Sequence, residues 1–318
     1  MNKLLLASLV VAFATTQVSA QTTTQTSDAS KTGAKMKDVK PADSAPASGE
    51  PDTDEVITNR KLRAETGSKK KVSFSAALTY NGGSVEKPSD NDRPNITGAR
   101  GTQLKAALSG TVGAKYKLNN LQSLSLDVGV GASEPFHSSD ESFGERSYLD
   151  NPSLTYQLLG KISGVQSVTK LTGTAYTRDD LVKLGFQSNL GLQQIFVYDF
   201  GGSKFSVGAL LAVDGSTYFK DNKELLAAQG DYGMGAYPFA EYVINDRFNI
   251  RTISGVWVYE HSRAQSSALT FDKNKIYQSV GLGISVTRDI YLYPNVQFLP
   301  EDIRADVTNV GLNANINL

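Results

Sequence analysis

The chain has no cysteine and only two histidines, His137 and His261. The lack of cysteine excludes disulfide bonds, thiolate metal sites and cysteine nucleophiles, and it also excludes the lipid-bearing cysteine of a bacterial lipoprotein. Charge is balanced, since 32 Lys and Arg residues stand against 32 Asp and Glu residues. Nucleic-acid binding through a basic excess is therefore excluded, and neither a metal nor a cofactor is expected.

Long apolar runs are also scarce. Lys3 precedes an apolar run over residues 4–14, and Val18-Ser19-Ala20 places small residues where a signal peptidase cleaves. The run of about eleven residues is shorter than the roughly twenty that a membrane-spanning helix needs. We therefore predict that residues 1–20 are a signal peptide, removed before Gln21, that directs export.

Residues 21–70 have few aromatic or branched apolar residues and are rich in Thr, Ser, Ala, Asp, Lys and Pro. Such a segment cannot bury enough apolar surface to offset the entropy of ordering, so a disordered periplasmic tether is predicted. Residues 54–65 are an exception, because Val56, Ile57 and Leu62 share part of one helical face. The alternative is that this segment docks into the inner end of the following domain or onto a periplasmic partner.

From residue 104 onward, apolar and polar side chains alternate. Even positions in residues 104–118 and 124–132 are apolar or small, odd positions are polar or small, and residues 119–122 form a turn between them. A two-residue period is typical of strands with one apolar and one polar face. These strands exceed the five or six residues typical of soluble strands and suit a tilted strand that crosses a bilayer.

About twelve strands of this kind are predicted within residues 71–318. They are residues 72–82, 104–118, 123–132, 151–161, 166–177, 185–200, 204–214, 234–244, 248–259, 275–287, 290–299 and 306–318. The alternation is blurred in the fifth strand, and the eighth and ninth do not show which face is apolar. Short turns alternate with long connections, as in barrels that cross an outer membrane. We predict an all-β, transmembrane, antiparallel up-and-down β-barrel.

The C-terminal segment alternates in the same way, with Gly311 followed by Leu312, Ala314, Ile316 and Leu318 on one face. It resembles the closing strand of bacterial outer-membrane β-barrel proteins, which the barrel-assembly machinery recognises. The resemblance covers the signal peptide and residues 72–318, and it names no narrower family. It implies residence in the outer membrane of a Gram-negative cell, contact with lipid and lipopolysaccharide, and binding to the assembly machinery.

If the apolar faces contact lipid, the polar faces line the inside of the barrel. The charged side chains assigned to this lining are Lys105, Lys115, Lys117, Asp127, Lys170 and Lys275. Eight strands leave an interior that side chains just fill, so about twelve predict a passive channel or binding barrel for small polar solutes, and its lysines favour anions. Two alternatives stay open: the charges pair with one another or with the tether and close the pore, or the barrel is structural or surface-binding without transport.

An enzymatic alternative rests on residues 136–139, Phe-His-Ser-Ser, with Asn151 further on. The pattern is similar to part of the motif of outer-membrane phospholipase, another twelve-stranded barrel. That similarity implies His137 as the base, Ser139 as the nucleophile and Asn151 as the residue that orients the histidine. Residues 260–261, Glu-His, resemble half of a barrel protease site in a similar way. Because neither motif has its full context, the favoured prediction is a barrel that is not an enzyme.

Overall fold

The computed structural model describes residues 51–97, 104–136, 147–219 and 229–318. The predicted signal peptide, residues 21–50 of the predicted tether, and the pair His137 and Ser139 lie outside the described residues. Within the described ranges, no helix has both the length and the apolar character needed to cross a membrane.

The described residues form a closed antiparallel sheet. The strands are β1 (Val72–Ser84), β2 (Asp92–Arg93), β3 (Leu104–Lys105), β4 (Ala107–Lys117), β5 (Gln122–Ser133), β6 (Ser147–Ile162), β7 (Val165–Ala175), β8 (Phe186–Asp199), β9 (Phe205–Tyr218), β10 (Gly230–Val243), β11 (Phe248–Gly255), β12 (Trp257–Ser262), β13 (Asp272–Lys273), β14 (Tyr277–Ser285), β15 (Ile290–Phe298) and β16 (Asn309–Asn317). Strands β10 and β11 pair, and β16 pairs with β1, so the ring has no open edge.

The predicted barrel of twelve strands is confirmed in the part of the chain that the structure describes. Strands β11 and β12 form one barrel strand interrupted at Val256, whereas β2 and β3 pair only with each other and β13 is a short addition to β12. Several strands are longer than predicted, since β6 begins at Ser147 and β9 ends at Tyr218. The extension of β6 has Tyr148 and Leu149 side by side, and that of β9 is mostly small and polar, so alternation could not reveal either.

Short turns lie at one end of the barrel, which we call the turn end, and the long connections lie at the other, the loop end. Gly164 and Gly202 occupy two of the turns with φ of +86° and +77°. These angles lie in the left-handed region, which glycine adopts without a steric cost. The turn residues thus join neighbouring strands tightly at one end of the barrel.

The barrel wall is apolar outside and polar inside. Exposed apolar side chains on the outer face include Val72, Phe74, Leu108, Leu126, Leu154, Leu171, Leu190, Leu211, Val213, Ile250, Leu282 and Leu312. Buried polar side chains on the alternate positions include Ser73, Ser75, Ser123, Ser125, Gln157, Ser206, Ser279, Asn295 and Asn309. This is the polarity of a barrel surrounded by lipid and the reverse of a water-soluble one.

Residues 52–68, which we call the plug, lie inside the barrel at the turn end. They contain helices α1 (Thr53–Val56) and α2 (Arg60–Thr66). The side chain of Asn59 caps α2 by accepting from the backbone N–H of Leu62 at 3.1 Å, and Gly67, with φ of +99°, follows its last turn. The prediction of a tether through residue 70 does not hold for the plug, because its few apolar residues find partners on the barrel wall.

Candidate functional site

The apolar side of the plug packs against the inner wall. Val56, Ile57 and Leu62 are buried in one cluster with apolar wall residues from four strands. Those wall residues are Leu159, Val168, Ile195, Val197 and Phe239. Val168 of β7 and Phe239 of β10 are inward apolar residues on faces that are otherwise largely polar, which explains why the alternation there is blurred.

Gln166 of β7 fixes the link between the two plug helices. Its side-chain oxygen accepts from the backbone N–H groups of Thr58 at 2.8 Å and Asn59 at 2.9 Å. Its amide nitrogen donates to the hydroxyl of Thr58 at 2.8 Å and to Asp199 at 2.7 Å. A buried backbone segment that lacks regular secondary structure needs such partners, and here the wall supplies them.

Arg288, in the turn between β14 and β15, holds the other side of the plug. Its guanidinium donates to Asp54 at 2.6 to 3.0 Å and to the carbonyl of Gly67 at 2.9 Å. Although burial opposes ionisation of Asp54, the bonds from Arg288 hold the pKa of this carboxyl below its usual value. One arginine therefore ties the start and the end of the plug to the same turn.

Glu241 and Arg251 form an ion pair on the inner wall beneath the plug. The two residues are register partners on β10 and β11, and both are buried. The Arg251 guanidinium lies 4.1 Å from the ring centre of Phe239, and Asn59 of the plug donates to Glu241 at 2.9 Å. The wall pair thus serves as a polar contact for the N-terminus of α2.

Glu65, near the end of α2, lies among three lysines. Its carboxylate pairs with Lys61 of the plug and, at 2.8 Å, with Lys170 of β7, while Lys115 of β4 donates to its backbone carbonyl. Burial opposes ionisation of Glu65, but the ammonium groups of Lys170 and Lys61 outweigh burial and hold the pKa of Glu65 far below its usual range. The carboxylate is therefore charged in the docked plug.

Acidification is expected to loosen the plug. The pKa of Glu65 is depressed only when docked, so this carboxylate stabilises docking above its ordinary pKa of about 4.3, and that contribution is lost as pH falls below it. Asp54 acts in the same direction through Arg288. Hydrogen exchange in residues 53–66, corrected for intrinsic rates, should be less protected at about pH 3 than at about pH 6, and Glu65→Gln should reduce the difference. Equal protection of the wild type at both pH values would contradict this account.

The other residues assigned to the lining lie at different heights. Asp127 accepts from Ser75 at 2.9 Å in mid-wall, and Lys117 lies at the turn end near Asp54 and Arg288. Lys105 belongs to β3 at the loop end, where its ammonium group contacts Asp92 at 2.9 Å and Glu134 at 3.2 Å.

Lys275 is exposed just before β14, and its backbone N–H donates to Thr97. The structure therefore brings Lys115 and Lys170 together at the plug and leaves Lys105 and Lys275 at the opposite end.

The loop end of the barrel is partly covered by residues 85–97, the described first part of the connection between β1 and β4. Arg93 donates to the inward side chain of Gln297 at 2.7 Å, and Asn309 donates to the carbonyl of Pro94 at 3.0 Å. Inward side chains of the opposite wall remain exposed, including Gln193 and Asp214. Water therefore reaches these inward side chains, and Gln193, the register partner of Lys170, lies at the level of the plug.

The described residues of the enzymatic alternatives have other partners. The side-chain oxygen of Asn151 accepts from the backbone N–H groups of Thr177 at 2.8 Å and Arg178 at 3.2 Å. The buried ring of His261 stacks on Tyr232 at 4.4 Å, and its Nε2 lies 3.2 Å from the carbonyl of Ser267. Across the described ranges, no three side chains of metal-binding type converge.

The residues assigned to assembly lie on the strand that closes the barrel. Gly311 is the register partner of Asn81, and Leu312, with an exposed side chain, is that of Tyr80. Ala314 and Ile316 follow on the same outer face, and Leu318 exchanges two backbone hydrogen bonds with Phe74. Recognition of this strand by the assembly machinery stays a prediction.

Sequence reasoning did not identify Glu65, Gln166 and Arg288, whose side chains bond the plug to the barrel wall. Two signals could have indicated them. The plug joins an apolar trio to a Lys61 and Glu65 pair at helical spacing, inside an otherwise apolar-poor stretch. Inward apolar residues such as Val168 and Phe239 also needed a partner within the barrel.

No protein-family model matches the chain, and no curated protein matches it in sequence. Solved structures do match. An outer-membrane channel from Pseudomonas putida F1 is similar with a TM-score of 0.46 and 14% identity, covering 79% of this chain and 97% of that one. The NanC porin is similar with a TM-score of 0.43 and 10% identity, covering 77% and 98%. A deletion mutant of the TodX monoaromatic hydrocarbon channel is similar with a TM-score of 0.40 and 9% identity, covering 83% and 94%.

Proposed function

We propose that this protein is an outer-membrane channel for small polar solutes and that its plug closes the turn end in the resting state. The observation that carries the proposal is the arrangement inside the ring. Exposed polar side chains such as Gln193 and Asp214 face the inside of the barrel, whereas the turn end is filled by a separate segment of the same chain.

The outer surface supports the placement in a membrane. Apolar side chains cover alternate outward positions around the ring, and closure of the sheet leaves no backbone N–H or C=O edge for lipid to meet. Each barrel strand crosses the membrane once, so an exported chain with an even number of strands has both ends of its barrel on the periplasmic side. The plug therefore closes the barrel from the periplasm.

The nature of the plug contacts supports a removable closure. The plug is joined to the wall by side chains and is continuous with it only through residues 69–71. Many of its bonds are ion pairs and amide contacts, such as those of Arg288 and Gln166, which water can replace. The proposal includes no catalysis, because Asn151 is committed to backbone groups of the connection after β7.

A reversible covalent lock tests the proposal in planar bilayers. Thr58 donates to Asp199 of β8 at 2.7 Å, so Thr58→Cys with Asp199→Cys places two thiols on adjacent parts of the plug and the wall, and loss of both free thiols on oxidation identifies the locked barrel; the chain has no native cysteine to interfere. We expect no ion current in the oxidised variant and intermittent current once it is reduced. Leu62→Asp, which places a charge in the apolar cluster, should conduct continuously.

The single variants Thr58→Cys and Asp199→Cys are the controls, since they lose the same hydrogen bond without a lock. A Leu62→Asp barrel that is folded by its heat-modifiable gel mobility, yet passes no current, would show that the barrel is not a channel.

A further inference from the structure

The carboxylate of Glu65 in the plug lies beside two lysines of the barrel wall, Lys115 and Lys170. Lys170 lies 2.8 Å from the Glu65 carboxylate, and Lys115 donates to the backbone carbonyl of the same residue. The lysines belong to β7 and β4, with β5 and β6 between them. We propose that Lys115 and Lys170 are a binding site for the carboxylate of a small polar solute, and that Glu65 occupies this site when no solute is present.

The charge balance of the wall supports this assignment. When the plug leaves, it takes Lys61 and Glu65, whose charges cancel, and the wall keeps the two ammonium groups. Asp127, which Ser75 holds at 2.9 Å, is the wall carboxylate that interacts with Lys115. The emptied wall therefore carries a single excess positive charge at this level, which a monocarboxylate neutralises and a dianion overshoots.

Lys115 is buried while the plug is docked. It is only 6% exposed in this state, and a buried ammonium group needs a partner to offset its desolvation cost, which the carbonyl oxygen of Glu65 supplies. Gln157, the register partner of Lys170, and Ser125, that of Lys115, are buried beside the lysines. The surroundings are thus amide and hydroxyl groups, which suit a polar solute that bears hydroxyls better than a fatty acid.

Competition for the lysines makes release of the plug depend on the solute. This inference rests on the proposed function, because the solute reaches the lysines through the barrel. A ligand that binds only the plug-free state shifts the equilibrium towards that state, and a solute at about ten times its dissociation constant raises the released fraction about tenfold while release is rare. Glu65 thereby acts as an internal substitute for the solute carboxylate.

The experiment measures release directly in the full-length barrel. Ala64 of the plug is 1% exposed, so the thiol of Ala64→Cys is shielded from a maleimide reagent while the plug is docked. We would measure its labelling rate with increasing gluconate at constant ionic strength, chloride replacing gluconate so that screening is equal. Glucose is the neutral probe of similar size, and inorganic phosphate, with all solutions held at a pH above its second ionisation, is the dianionic one.

We expect gluconate to raise the labelling rate saturably, by about tenfold at high occupancy, and glucose and chloride to leave it unchanged. In Lys170→Gln the basal rate should rise and the gluconate effect should disappear. In Glu65→Gln the basal rate should rise and half-saturation should move to lower gluconate concentration, because the competitor is gone. Lys161→Gln, which removes an exposed lysine of β6, is the matched charge control and should behave as the parent.

Three results would overturn the site: no gluconate effect beyond that of chloride, an unchanged response in Lys170→Gln, or an unchanged half-saturation in Glu65→Gln. A larger effect of phosphate than of gluconate would overturn the monocarboxylate assignment. Labelling does not require ion flow. A barrel that responds to gluconate but never conducts would therefore support the carboxylate site and contradict the channel function. A barrel that conducts but whose labelling rate does not respond to gluconate would support the channel function and contradict the carboxylate site.

Discussion

Shortening Ile57 to alanine is expected to release the plug from the barrel. Ile57 is fully buried among the inward apolar residues of β6, β7, β8 and β10. Removing its side chain there should cost about 2 to 5 kcal/mol of docking free energy, the range for large apolar truncations that leave a cavity. Because about 1.4 kcal/mol is a factor of ten, the released fraction should rise at least about thirtyfold.

Hydrogen exchange of residues 53–66 measures this change, with thermal stability of the barrel as a second readout. Glu55→Ala is the matched control, because Glu55 is an exposed side chain on the same segment. The barrel itself should stay folded, since its strands pair with one another independently of the plug. Unchanged protection in Ile57→Ala would mean that the polar contacts of Arg288 and Gln166 hold the plug by themselves.

Placing a charge on the outer wall is expected to reduce the free energy of folding into a lipid bilayer. Leu126, on β5, faces outward with 64% of its surface exposed. Leu126→Arg should reduce the folding free energy in a bilayer by about 2 to 4 kcal/mol, as for arginine on the lipid-facing side of a barrel near the midplane. Folding into phospholipid vesicles, titrated with urea, gives this quantity.

Leu269→Arg is the control for that measurement. Leu269 is more exposed, at 86%, but lies in the loop-end connection between β12 and β13, where arginine contacts water. Its effect should stay within about 0.5 kcal/mol. Equal effects at the two positions would show that the outer wall does not face lipid.

The fold was largely predictable because most strands carry their own signal. In β4 and β5 the apolar residues recur at every second position, and the sheet uses that face as its outer surface. Turn residues such as Gly164 and Gly202 mark where one strand ends and the next begins. These features are local, so they need no knowledge of distant residues.

The plug was predicted only as an alternative to a disordered tether. Its helices are too short to be stable alone, so the shared helical face of Val56, Ile57 and Leu62 could not decide between the two. Ile57 is separated from Val168 by over a hundred residues, and each appears locally as an exception, one in a polar stretch and the other on an inward face. The contact between Ile57 and Val168 in the folded barrel explains why an apolar residue stands at each position.

The sequence by itself determined the number and order of the strands, which face of most strands meets lipid, and which lysines point inward on β4 and β7. Only the tertiary structure decided what fills the barrel, because the pairing of Glu65 with Lys170 depends on how closure of the ring brings distant strands around one segment. The periodicity of a strand specifies its two faces, but the partner of an inward face is set by the whole ring.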